Sequence, residues 1–383
     1  MLKSANLLRI PGPTPIPPSV NRAMTQPMIG HRSEEAKALF ASVKEKVKAV
    51  FGTKEDVLIV TGSGTSGLEA AVVNTTDAGD DVLVIVTGNF GERFAGICET
   101  YQLNVHRLEV EWGKAVNPDD VEDYLQNNKN IKAVFVTACE TSTGVLNPIG
   151  DISQAIRKSS EALVVVDGVS SVGGADTRMD EWGVDVYVTG SQKAMMLPPG
   201  LCFIAASERA RDVMKENKRP RFYLDLRRYE NDAAPFTPAL SLIRGLEEAM
   251  ALIEKEGLDH VYERHVTMMK MTRAAAKALG LKLLTTDEDA SPTVTTIIPE
   301  DFEGDALRKR LKNEFDLDLA GGQKSLKGKV VRIGHMGYCT PADVLQVISL
   351  LESGLQRIGK DIKPGQGVAA AQEVYFQAGG FTQ

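Results

Sequence analysis

The stretch Val57-Leu58-Ile59-Val60-Thr61-Gly62-Ser63-Gly64-Thr65-Ser66-Gly67-Leu68-Glu69-Ala70-Ala71 sets the architecture. Four consecutive apolar residues, three of them β-branched, make a strand covered on both faces. A glycine- and hydroxyl-rich turn follows and gives way to a helical run. A buried strand passing through such a turn into a helix is the unit of an open α/β sheet. Apolar runs of the same kind recur at 82–86, 133–136, 163–166, 184–188 and 201–205, with amphipathic segments such as 66–75 and 118–126 between them. The sheet is therefore expected to be mostly parallel.

Upstream, Pro11, Pro13, Pro15, Pro17 and Pro18 predict an extended arm over residues 1–20. A helix should follow, with Ser33 as N-cap, Glu34 and Glu35 in its first turn, an apolar face of Leu39, Phe40, Val43, Val47 and Val50, and Gly52 as its stop. Beyond about residue 235 the pattern changes. Long helices over 238–255 and 260–279 precede short strands at 293–298 and 330–333, a helix at 305–314 and another at 341–356. The expected organisation is a large α/β domain over 21–258 and a smaller C-terminal α+β domain over 259–360. Residues 361–383, rich in Gly, Ala and Gln, read as a loosely held tail.

The bulk properties exclude several classes. The 383 residues carry a net charge of −7 and a pI of about 5.5, without the basic footprint of nucleic-acid or anionic-membrane binding. Cys98, Cys139, Cys202 and Cys339 are scattered, which argues against a disulfide framework or a zinc site and for a reducing compartment. No apolar run approaches the roughly 18–20 residues of a membrane span, and neither end reads as a targeting signal. The expectation is a soluble, cytoplasmic protein. The five histidines (His31, His106, His260, His265, His335) show no metal-ligand spacing, and most read as surface or helix-face residues.

In open parallel sheets, ligands bind beyond the carboxyl ends of the strands. Three elements stand there. After 57–60, Ser63, Gly64 and Thr65 open a helix whose free amides suit a phosphate; a plain tight turn is the alternative. The same turn matches G-x-G-x-x-G, but the next strand ends in Thr87-Gly88-Asn89-Phe90, without the acid that would hold a ribose. After 163–166 comes Asp167, a costly carboxylate unless a cation or the following amides meet it. After 184–188 comes Thr189-Gly190-Ser191-Gln192-Lys193, followed by an apolar run; a lysine held in such surroundings becomes a competent amine nucleophile. Each element has a bland reading alone. Together, a phosphate cradle, an anion and an amine at one sheet edge are what pyridoxal phosphate requires.

The chain then resembles the class V, fold type I aminotransferases, in particular the alanine–glyoxylate and serine–pyruvate aminotransferase group. The likeness runs through Pro11-Gly12-Pro13, Met28-Ile29-Gly30-His31-Arg32, Gly62-Ser63-Gly64, Glu140-Thr141-Ser142-Thr143-Gly144-Val145, Val166-Asp167, Gly190-Ser191-Gln192-Lys193-Ala194, Pro198-Pro199-Gly200 and Val331-Arg332-Ile333-Gly334. The resemblance implies that Lys193 carries pyridoxal 5′-phosphate and shuttles a proton between substrate Cα and cofactor C4′, and that Asp167 pairs with the pyridinium. Ser63, Gly64, Thr65 and Gln192 would hold the phosphate, and Thr141 would reach the phenolic oxygen. Arg332 would clamp the substrate α-carboxylate, with Gly30 and His31 bordering its pocket. It also implies a homodimer in which Thr237 reaches the neighbouring subunit's phosphate. Two departures stand out. Phe90 takes the place of a stacking tryptophan, and Ala234 that of a tyrosine on the phosphate.

Three other functions compete. A cysteine desulfurase needs a mobile nucleophilic cysteine and a histidine before the lysine; here Gln192 precedes Lys193, and Cys339 opens a helix. A nicotinamide dehydrogenase leaves Lys193 unexplained, and a catalytically silent scaffold leaves all three elements so. For the substrate, Arg332 accounts for one carboxylate. Arg32 is the nearest candidate for a second, and Arg221, Arg227 and Arg228 read as a polar surface stretch. The expected donor is alanine or serine, with glyoxylate or pyruvate as acceptor and an aspartate-type enzyme as the alternative.

Overall fold

Helix α2 shows how closely local chemistry sets the elements. In the computed structural model, which describes residues 6–231 and 234–379, it spans Glu34–Phe51. Ser33 accepts from the Ala36 amide at its start, and Gly52 ends it in the left-handed conformation. Before it come strand β1 (Leu7–Leu8) and helix α1 (Pro18–Met24). The arm is thus not extended throughout. Pro18 sits at the first helical position, where its missing N–H costs nothing.

The chain continues as β2 (Val57–Gly62), α3 (Gly64–Thr75), β3 (Asp81–Val86), α4 (Asn89–Thr100), β4 (Asn104–Glu109), α5 (Pro118–Asn127) and β5 (Ala133–Thr137). A hairpin of β6 (Cys139–Glu140) and β7 (Val145–Leu146) leads to α6 (Ile149–Ser159), β8 (Leu163–Asp167), α7 (Met179–Trp182), β9 (Val186–Gly190) and β10 (Gly200–Ala206). Seven strands form one sheet in the order β2-β10-β9-β8-β5-β3-β4. Neighbours are parallel except β10, which is antiparallel to both β2 and β9. The carboxyl ends of β2, β3, β5, β8 and β9 therefore share one edge. Apolar side chains pack on both faces, as the continuous runs require. The sequence reading passes over β4, an edge strand whose mixed Asn104-Val105-His106-Arg107-Leu108-Glu109 stays half exposed.

Helices α8 (Glu208–Glu216), α9 (Leu226–Asn231), α10 (Leu240–Glu256) and α11 (Leu258–Ala278) lead to the second part. There β11 (Lys282–Leu283), β12 (Val294–Ile298), α12 (Gly304–Phe315), β13 (Leu317–Asp318), β14 (Ala320–Gly321), β15 (Val331–Gly334), α13 (Pro341–Arg357) and α14 (Gln366–Gln377) follow. Strands β11, β12, β15 and β14 make a four-stranded antiparallel sheet with its own core. The N-terminal arm joins this part, since β1 pairs with β13.

The tail is a second correction. Residues 366–377 form α14, whose Ala371, Val368 and Val374 pack with Met268 and Met271 of α11. Glu352 of α13 accepts from the Gly365, Gly367 and Val368 amides and ties down the start of that helix. Alanine-rich composition here reflects a close helix–helix approach. Among the described residues, no helix is long and apolar enough to cross a membrane.

Candidate active site

The shared carboxyl edge holds a cavity of about 270 Å³ that brings together Ser63, Gly64, Thr65, Phe90, Asp167, Gln192 and Lys193. Gly12, Pro13 and Arg93 also line it. A larger hollow of about 710 Å³ lies at the opposite edge, where mostly exposed acids and bases such as Asp77, Lys132, Glu161 and Lys218 alternate. The first is the one that gathers a buried lysine, a buried carboxylate and a helix N-terminus.

The turn after β2 opens a helix, as the sequence predicts. Ser63 is the N-cap of α3 and accepts from the Ser66 amide, while the Ser66 hydroxyl returns to the Ser63 carbonyl. Ser63, Gly64 and Thr65, at the start of a twelve-residue helix, line the cavity. Gly64 is required by packing: a Cβ there would stand 2.8 Å from Val169. The carboxamide oxygen of Gln192 is buried beside Gly64 and Gly190 and meets no donor. That orphaned polar atom marks a site built for a polar ligand.

Lys193 is buried, and the N-terminal arm closes over it. Its Nζ donates to the Pro11 carbonyl, and its own carbonyl accepts from the Thr14 hydroxyl at 2.9 Å. Burial lowers its pKa to about 8; the nearby Arg332 and Arg93 push the same way, against Cys139 and Asp167. An uncharged amine is available near neutral pH. Asp167, at the tip of β8, is also buried. Among the described residues the one hydrogen bond to its carboxylate comes from the Val169 amide, at 2.9 Å. Burial raises its carboxyl to about 6, helped by Glu140 and opposed by the Val169 amide, Lys193 and Arg93. A carboxylate held so expensively and so sparsely bonded is prepared for a cation.

Phe90 sits in the first turn of α4, and one turn later the Arg93 guanidinium lies 4.7 Å from the centre of its ring. Arg93 was not anticipated, although its spacing of three from Phe90 on a helix start was the available signal. Thr141 and Arg332 are not among the residues that line this cavity. Thr141 is buried, its hydroxyl 2.7 Å from that of Ser170. Arg332, on β15, is buried in turn. It donates to the Gly321 carbonyl at 2.9 Å and the Thr141 carbonyl at 2.8 Å. No carboxylate pairs with it among the described residues. Burial lowers its pKa to about 10, with Glu140 opposing.

Other expected residues lie elsewhere. Gly30, His31 and Arg32 form an exposed to half-exposed turn before α2 and do not line the cavity. Thr237 is exposed in the segment before α10. Arg221 is not a surface residue: it is buried against Asn74 and Asn217. Arg227 pairs with Asp225, and Arg228 covers the Phe222 ring. Two histidines are likewise interior. His265 bridges Val261 and Gly337, and His335 bridges Pro292 and Thr295; burial holds their pKa values at about 3 and about 4, so both are neutral struts. Cys339 is buried, its thiol pushed up to about 11, unlike a mobile nucleophile. No cluster of three or more His, Cys, Asp or Glu side chains able to hold a metal occurs among the described residues.

The family model of class-V aminotransferases matches residues 10–347. This chain is a class-V aminotransferase. It is 39% identical over 381 residues to a serine–glyoxylate aminotransferase of Hyphomicrobium methylovorum, covering 96% of this chain and 94% of that one. It is 38% identical over 386 residues to an L-aspartate–glyoxylate aminotransferase of Paracoccus denitrificans, covering 98% of each. The fold superposes on the crystal structure of a ureidoglycine–glyoxylate aminotransferase from Bacillus subtilis with a TM-score of 0.93 at 33% identity, covering 98% of this chain and 99% of that one. This class-V aminotransferase depends on pyridoxal phosphate. Its cavity fits that group: a desolvated amine, a buried carboxylate with spare acceptor capacity, a helix N-terminus and an aromatic ring.

Proposed function

We propose that this aminotransferase moves the amino group of alanine or serine to glyoxylate or pyruvate, at a site built on Lys193 and Asp167. The observation that carries the reading is Arg332, a buried guanidinium near Lys193 with no carboxylate paired to it among the described residues. A planar fork left without a partner suits an α-carboxylate bidentately.

Pyridoxal phosphate, when bound, supplies the electron sink that stabilises charge at the substrate Cα. Ser63, Gly64 and Thr65 would hold its phosphate at the α3 N-terminus, with Gln192 beside them. Asp167 would keep the pyridine nitrogen protonated, and Phe90 would cover the ring. The Thr141 hydroxyl, shared with Ser170, is available to the phenolic oxygen. Lys193 Nζ would carry the cofactor and move a proton at the substrate Cα.

Glyoxylate as acceptor is supported by the names of all three relatives, whose donors differ. A small donor is supported by Arg332 as the one buried guanidinium near Lys193 among the described residues, since an unpaired buried carboxylate costs several kcal/mol. Arg93 lines the cavity mouth, and its position over Phe90 is the observation that favours an aspartate-type donor as the second reading. We also propose a homodimer in the cytoplasm. The exposed Phe222 and Tyr223 pack with Phe236, adjacent to the exposed Thr237, which leaves an aromatic patch for a second subunit that Thr237 could reach across. Gly30, exposed, and His31, half-exposed, would then face the partner's pocket.

The test is a donor–acceptor matrix on the cofactor-loaded enzyme, with alanine, serine, aspartate and glutamate each against glyoxylate and pyruvate. Alanine or serine with glyoxylate should give the highest kcat/KM. If aspartate leads and Arg93→Ala removes that preference, the small-donor reading falls to the aspartate-type one.

A further inference from the structure

Glu140 ends β6 and is fully buried, yet the chemistry above does not use it. Its carboxylate is saturated. One oxygen accepts from the Phe90 amide at 2.9 Å and the Gly91 amide at 3.1 Å; the other accepts from the Ser142 amide at 3.1 Å and the Ser142 hydroxyl at 2.5 Å. That hydroxyl in turn accepts from the Asn89 amide at 3.0 Å. The first three amides of α4, at Asn89, Phe90 and Gly91, are therefore all satisfied from the β6–β7 hairpin. Helix α4 itself has no side-chain cap, because its N-cap is Gly88. A Cβ at Gly88 would stand 2.5 Å from the Glu140 carboxyl carbon, so the cap position is bare to admit Glu140.

The residue after Glu140 binds the other groups of the site. The Thr141 carbonyl holds the Arg332 guanidinium, and the Thr141 hydroxyl meets Ser170, three residues past Asp167. One short segment thus fixes the ring, the guanidinium and the loop of the catalytic acid to one another. We propose that Glu140 is a positioning residue that sets the plane of the Phe90 ring against the cofactor, capping α4 from across the site. This rests on the assignment of Phe90 as the ring's platform. One carboxylate oxygen faces two backbone N–H groups and the other faces a third beside the Ser142 hydroxyl, so a carboxamide in either orientation turns its NH₂ against at least one N–H that cannot accept. Charge, as well as shape, is required.

The experiment is a double-mutant cycle of Glu140→Gln and Phe90→Leu, read as the dissociation constant of pyridoxal phosphate and the visible circular dichroism of the bound cofactor. Glu140→Gln should weaken binding by about 10-fold, the size of one lost aromatic stack, and reduce the dichroic band. In the Phe90→Leu background the same change should cost less than about 2-fold. Equal losses in both backgrounds, or a parental affinity and band in Glu140→Gln alone, would overturn the proposal. If Phe90→Leu itself leaves affinity unchanged, the platform assignment is what fails. Should Glu140→Gln not fold, judged by the melting of the cofactor-free protein, Gly88→Ala displaces the same carboxylate and must show the same dependence on Phe90.

Discussion

Gly12 and Lys193 occupy one volume. A methyl group on Gly12 would lie 2.5 Å from Lys193 Cδ and 2.7 Å from its Nζ, and Gly12 has a φ of +114° that a side chain would strain. Gly12→Ala should therefore move the lysine while leaving both cores intact. The expected result is at least a 10-fold slower capture of pyridoxal phosphate, about the effect of displacing a reacting group by 1 Å or less. Stopped-flow absorbance measures it. Capture at the parental rate would show that the arm yields freely.

Lys193→Ala should abolish transamination and the borohydride-fixed cofactor–protein adduct, with the fold retained. Intact mass after reduction checks this, and an adduct surviving in the variant would remove Lys193 from its role.

Capture by the parental protein should also depend on pH. With the Lys193 pKa lowered to about 8, the neutral amine rises about tenfold per unit below that value and is complete above it. The rate should climb from pH 6 and level off above about 8. A midpoint near 10.5 would mean that the amine is solvated.

Asp167→Asn should lose several orders of magnitude in kcat and yet stabilise the cofactor-free protein. The folded-state pKa is about 6 against 3.8 unfolded. For an acid whose pKa is raised, stability is fully present below pH 3.8 and is lost as pH rises through about 6. Burial of the ionised form then costs about 3 kcal/mol at pH 7.5. Asparagine keeps an acceptor for the Val169 amide without that charge. Melting curves of both proteins should differ at pH 7.5 and converge toward pH 4. A variant less stable at every pH would place a compensating cation on Asp167.

Arg332→Lys should lower kcat/KM for every donor by roughly 10–100-fold, because an ammonium cannot replace a bidentate fork. A loss confined to one donor would mean that Arg332 reads a side chain.

Six of the seven strands of the large sheet, and the turn that opens α3, were legible because each reports locally. Four apolar residues, a glycine turn and an N-cap serine are neighbours in sequence. Asp167 was legible because it ends such a run, and Lys193 because it follows one by a short polar turn. What escaped depends on distant partners. Glu140 caps a helix 50 residues away, and it puts at the tip of β3 the very carboxylate that the strand's own sequence lacks, with its lone pairs already spent on amides. Arg93 reaches the cavity through a side-chain conformation that helical spacing permits without requiring. Arg221, His265 and His335 read as surface residues because polarity alone does not reveal buried partners. The α14 tail escaped because Ala and Gly look unstructured until Met268 and Met271 are known to face them.

The arm that covers Lys193 begins at β1, whose partner β13 lies more than 300 residues along the chain, and the Gly334 amide then bonds to the Arg9 carbonyl. Both ends of the protein must be in place before the lysine is desolvated. Until then its amine is an ordinary, mostly protonated one, slower to add to the free aldehydes and oxo acids around a growing chain. The nucleophile is thus switched on by completion of the fold.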